Sequence, residues 1–148
     1  MDVQLKKCPY GSAGVIFERD DRYLVFRRLG EPVGWAGVAG HLDGDAPLIT
    51  AHKEAREEIG VEIMTLETFF GPEIVTPNPC GRDGGIYNAH EWYVYHAIRW
   101  TGEPQICEPH KHADLRWVNS EELRELFVNE PHDPAWSYIF RRLGILAK

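Results

Sequence analysis

Apolar and polar positions divide the chain into short runs separated by turn-forming residues. From Gly11 the sequence turns apolar through Val15-Ile16-Phe17, passes Asp20-Asp21-Arg22, and turns apolar again at Tyr23-Leu24-Val25-Phe26. Two β-like runs flanking a short polar turn predict a hairpin. A glycine-rich stretch follows from Gly34 to Asp45. Pro47 to Ile59 carries the clearest helical signal, with Asp45 or Ala46 near the cap, Pro47 in the first turn and Gly60 just past the end. Its apolar face is Leu48, Ala51, Ala55 and Ile59. Val61–Val75 is strand-like, Thr76–Asn88 is rich in turn residues, and Trp92–Trp100 is strand-like again, with aromatic and branched side chains. Leu115–Val118 reads as a short strand. Asn119, with Glu122 three positions on, caps a helix through Phe127. A last helix starts after Asp133-Pro134 and ends near Gly144. Strands, helix, strands, helix, helix is the order of an α+β domain, a mixed sheet packed by a few helices, and not of a doubly wound parallel sheet.

No repeat, low-complexity tract or linker divides the sequence, so residues 1–148 are expected to form a single domain. The charge is 16 − 23 = −7, with no basic run, which makes a nucleic acid polymer a poor partner. A phosphate-bearing substrate would need a metal ion or a local arginine cluster. No apolar run approaches the roughly 20 residues that cross a bilayer. No apolar segment of a secretory signal follows Lys6-Lys7. A cytoplasmic protein without a membrane partner is expected. Cys8, Cys80 and Cys107 contain no C-x-x-C pair and suggest reduced thiols, neither a disulfide framework nor a zinc knuckle.

The segment from Gly40 to Val61 bears the chemistry. On a helix, Glu54, Glu57 and Glu58 fall within an arc of about 100°, because i, i+3 and i+4 share a face. Three carboxylates in that arc repel one another. A hard divalent cation with oxygen ligands relieves the repulsion and bridges to substrate phosphates. The plainer alternative is a solvated acidic face paired with Lys53 and Arg56. The glycine-rich loop before the helix and Gly60 after it favour the metal site.

This segment resembles the Nudix box, G-x5-E-x7-R-E-U-x-E-E-x-G-U with U aliphatic. Its second half is Lys53-Glu54-Ala55-Arg56-Glu57-Glu58-Ile59-Gly60-Val61, preceded by Asp45 at the seven-residue gap and by Gly40 in place of the first glycine. The box departs from the family by four residues instead of five between Gly40 and Asp45, by Asp45 for Glu, and by Lys53 for Arg. Val25-Phe26-Arg27-Arg28, Trp35 and Ala39-Gly40 are similar to the approach to the box, and Leu115–Val118 to the family's late strand. The likeness spans about residues 12–128.

The resemblance implies a Nudix-like mixed β-sheet sandwiched between helices. It also implies a Mg2+-dependent hydrolase, with Mn2+ as a substitute, that cleaves the pyrophosphate bond of a nucleoside diphosphate linked to another group. A small nucleoside triphosphate is the favoured substrate class. A non-catalytic nucleotide sensor is the alternative, and the altered box spacing supports it. On this reading Glu54, Glu57 and Glu58 hold the metal together with the carbonyl of Gly40. Glu54 or Glu58 also orients or deprotonates the water, and Asp45 and Lys53 brace the loop as a shortened pair. Glu108 is the candidate further acid from a late loop, with Glu91 as the weaker rival. Arg27, rather than its neighbour Arg28, is expected to meet a phosphate. Trp35 either stacks on a base or caps the core. His41 either touches substrate or is a hydrogen-bonded loop residue. Arg82 is either a lid contact to phosphate or part of a solvent loop. His110 and His112 resemble half of a metal pair but lack further ligands at metal spacing.

Overall fold

The hairpin expected from the first two apolar runs forms in the computed structural model, which describes residues 4–147. Strand β1 (Ser12–Arg19) pairs antiparallel with β2 (Arg22–Arg28), Glu18 facing Tyr23. From Ser12 to Phe17 β1 is buried at every position, as befits a strand covered on both faces. Its other edge takes β6 (His90–Thr101) in parallel, Ser12 opposite Trp92 and Phe17 opposite Ala97. β5 (Glu62–Val75) runs antiparallel along β6 with several register shifts.

The glycine-rich stretch is not a loop. It forms β3 (Gly34–Ala36) and β4 (Val38–His41), two short strands that go to different partners. β3 pairs with β2, whereas β4 pairs with β1, Ser12 facing His41 and Val15 facing Val38. β2 then carries β7 (His112–Val118) on its other side. The sheet therefore divides where β1 leaves β2 for β4, and the two branches open around a cleft.

Helix α1 (Pro47–Ile59) packs on β1, β4 and β5. Gly60 ends it in the left-handed region at φ 71°, donating its N–H to the Arg56 carbonyl. The face that α1 buries is rotated from the one expected. Leu48 is 52% exposed and Glu58 is buried beside Ala51, Ala55 and Ile59. Helix α2 (Ser120–Asn129) packs on β2 and β7, and the Asn119–Glu122 capping box is complete. Helix α3 (Pro134–Arg142) is capped by Asp133. It brings Trp136 edge-on to Trp92 and against Phe140, which meets Phe127 of α2. The result is an α+β molecule built on a mixed sheet with helices packed against it. No helix of the described residues is long and apolar enough to cross a membrane.

Candidate active site

The last two turns of α1 lie against β4, whose unpaired backbone needs an acceptor. Glu58 provides it, Oε1 accepting the Ala39 N–H at 3.0 Å. Its second oxygen lies 3.4 Å from Nε2 of His112 at the start of β7. Burial, and then the charge of Glu54, push the Glu58 carboxyl well above the usual carboxylate range. His112 is stacked on Phe26 at 4.3 Å between ring centres, and burial lowers its pKa. Its Nδ1 has no partner.

One turn earlier, Glu54 rests against the backbone of Gly40. A Cβ at Gly40 would lie far inside van der Waals distance of the Glu54 carboxyl, so only glycine admits this approach. Burial first, and then Glu57, push Glu54 up to about 7. Glu57 itself is exposed and does not line the cavity. Glu108 stands in the turn before β7. Its backbone carbonyl accepts the His112 N–H at 3.0 Å, and its carboxylate lies 3.3 Å from Lys111 Nζ. Donor atoms of Glu58, Glu108 and His112 all lie within 4.8 Å of one another. The donor set is dominated by carboxylate oxygens, whose burial first and mutual repulsion second raise Glu54 and Glu58, and a hard cation relieves that repulsion. The residues present therefore fit a divalent ion of the Mg2+ type.

Glu54, Glu58 and His112 line a cavity of about 500 Å³ together with Arg28, Lys53 and Arg82, and Glu108 stands outside that lining. Alternation along β2 places Phe26 and Arg28 toward the cavity and Arg27 on the opposite face. Arg27 pairs there with Asp114 on β7, its Nε donating at 2.7 Å, so Arg28 and not Arg27 faces the cleft. Arg28 is anchored 3.5 Å from the buried carboxylate of Asp133. Trp35 is 1% exposed and donates from Nε1 to Glu130 at 3.2 Å, so it belongs to the core and has no free face for a base. Arg82 does line the cavity, held by both carboxylate oxygens of Asp43. His41 also lines it, but its Nε2 is 3.6 Å from Cys80 Sγ. Among the described ion pairs there is none between Asp45 and Lys53. Lys53 faces the cavity instead, and Arg56 pairs with Glu62 at 2.8 Å.

The sequence offers Arg28 only as the lesser of two arginines on β2, and it gives Asp43 no role. The alternation of β2 was the available signal for Arg28, since the apolar run fixes Phe26 as an inward position. The His110-x-His112 spacing is the one local mark of His112, whose neighbours Glu58 and Phe26 come from distant parts of the chain.

The NUDIX domain family model matches residues 9–140. Among solved structures, the MutT NUDIX hydrolase from Burkholderia pseudomallei is similar with a TM-score of 0.60 and 24% identity, over 80% of this chain and 86% of that one. The MutT protein from Bacillus halodurans gives a TM-score of 0.63 at 21% identity, over 93% and 80%. The C. elegans Ap4A hydrolase gives 0.61 at 16%, over 95% and 94%. At these identities the structural likenesses speak for the fold. No curated protein matches the chain.

Proposed function

The chain belongs to the NUDIX family and is a pyrophosphohydrolase of that type, and from this premise we propose that it hydrolyses the pyrophosphate bond of small nucleotides, nucleoside triphosphates foremost, with Mg2+. The meeting of Glu58, Glu108 and His112, beside a cavity that Glu54 and Glu58 line, carries this reading. Glu54, Glu58 and Glu108 would hold the ion, with Glu57 beside them. When bound, Mg2+ supplies positive charge against the pyrophosphate oxygens. The Gly40 carbonyl, on the strand that Glu54 touches, is the further ligand suggested by the family pattern.

The chain's own groups supply the rest. His112 and the Ala39 N–H fix the two oxygens of Glu58, so this carboxylate has one orientation. Glu54 would also accept a proton from a water attacking phosphorus, as the bond from phosphorus to the bridging oxygen breaks. Arg28, Lys53 and Arg82 line the cavity as contacts for phosphate oxygens. A cavity of about 500 Å³ falls within the ordinary range for small-molecule sites.

The test is release of pyrophosphate and orthophosphate from a panel of nucleoside triphosphates, nucleotide sugars and dinucleotide polyphosphates, with and without added Mg2+. Turnover of one class is expected to need Mg2+. In Glu58→Gln it is expected to fall by about 10²–10⁴-fold with an unchanged circular dichroism spectrum. Tight nucleotide binding without turnover of any substrate would favour the sensor instead.

A further inference from the structure

Among the described residues a second group of potential ligands, chemically unlike the carboxylates, converges where His41, Cys80 and His90 line the same cavity: these three and Cys8 have donor atoms all within 4.8 Å of one another. Each comes from a different part of the fold. Cys8 precedes β1, His41 ends β4, Cys80 lies in the loop 76–89, and His90 begins β6. We propose that these four residues form a tetrahedral site for a zinc ion.

The spacing suits that ion. With Zn–S near 2.3 Å and Zn–N near 2.0–2.1 Å, a tetrahedron has a sulfur-to-nitrogen edge of about 3.5 Å. Cys80 Sγ and His41 Nε2 are 3.6 Å apart. The surroundings are also those of a ligand shell. His90 is 2% exposed, and its Nε2 has no partner at all. Its other nitrogen, Nδ1, is 3.2 Å from the Ser12 hydroxyl, which fixes the ring and leaves Nε2 as the free donor. The Arg82 N–H donates to Cys80 Sγ at 3.4 Å, a contact that supports a thiolate. Cys8 is 1% exposed.

A disulfide between Cys8 and Cys80 is the competing chemistry. It would use the two sulfurs but leave the His90 nitrogen buried and unpaired, and it gives no reason for two imidazoles to meet at the same point. A metal accounts for all four. Two thiolates and two imidazoles select a softer ion than the oxygen donors around Glu58, so the two sites take different metals. Four protein ligands leave no open position, which makes this a structural site and not a catalytic one. It ties the loop 76–89 to β4 and β6, and thereby holds Arg82 at the cavity wall.

The test uses the full chain, purified under reducing conditions without chelator. Excess Mg2+ is added to fill the carboxylate site, and Co2+ serves as a spectroscopic stand-in for zinc. One zinc per chain is expected. Its replacement by Co2+ is expected to give the strong visible bands of a tetrahedral complex and a sulfur-to-metal charge-transfer band. Cys8→Ser and Cys80→Ser should each lose this spectrum, and Cys107→Ser, whose thiol is exposed and outside the group, should keep it. Because removing a buried ligand can unfold the chain, Ser12→Ala provides the second arm. It retains all four ligands and should bind zinc about 10–100-fold more weakly. Three results overturn the proposal: no uptake of either metal by the folded, reduced protein; the same spectrum in both serine variants of Cys8 and Cys80; or a metal-free protein in which Cys8 and Cys80 are joined as a disulfide.

Discussion

At Gly40 a Cβ would stand where the Glu54 carboxyl lies, so any larger residue forces that side chain to move. Gly40→Ala is therefore expected to cost little stability, since the group in the way is the end of a flexible, half-buried side chain. It is also expected to displace Glu54. Activity should then fall further than the loss of stability explains, read as kcat measured well below the melting temperature. An unchanged kcat would mean that Glu54 has no part in the reaction. The glycine was visible in the sequence through its place in the box. Its reason was not, since the carboxyl it accommodates sits fourteen positions later on another element. Trp35 is the opposite case: an aromatic residue in a glycine-rich stretch looks available for stacking, yet β3 carries it into the core.

Elements were legible where local chemistry fixes them. Helix α1 announced itself by Pro47 and Gly60, and α2 by the Asn119–Glu122 box, because caps act within a few residues. β3 and β4 did not, since three or four residues are too few to show a period. The inward face of α1 is also not the one its apolar residues mark. A buried glutamate goes inward there because the Ala39 N–H offers it a hydrogen bond. Along β2 the pleat decides which arginine serves the cavity. Arg28→Ala is expected to raise KM for the substrate by about ten-fold or more, the weight of a hydrogen bond to a charged group. Arg27→Ala, which loses only the exposed pair with Asp114, should leave KM within about two-fold. Equal effects from both would show that Arg28 does not reach the phosphates.

At the scale of the molecule, the buried and neighbouring carboxylates of Glu54 and Glu58 make the protein's stability depend on both pH and metal. The folded-state pKa values of Glu54 and Glu58 lie above the ordinary glutamate value. Between that ordinary value and the raised ones, the folded chain holds more protons than the unfolded chain. Without a divalent ion, this pair therefore makes stability fall as the pH rises through that window. A cation that replaces those protons reverses the loss. Mg2+ should accordingly raise Tm more at about pH 8 than at about pH 5, where it competes with protons. Calorimetry at the two pH values, in buffers of equal ionic strength, checks this, and a shift of the same size at both would contradict it. The α+β class, the element order and the acidic helix could all be read from the chain. The meeting of Cys8, His41, Cys80 and His90 could not, because their spacing along the sequence matches no metal motif and only the sheet brings them together.

The same sheet sets when the protein becomes competent during its synthesis. Its central strand, β1, is among the first elements made, but its parallel partner β6 comes after most of the chain, and β7 later still. A nascent chain that has emerged only through β5 already contains Glu54 and Glu58. It lacks the His112 that orients one of them, the Glu108 beside it, and one branch of the cleft. Pairing across so long a stretch of sequence is also slow relative to local structure. Products of interrupted translation therefore carry the box without its activity, and hydrolysis begins only once β7 has been released and docked.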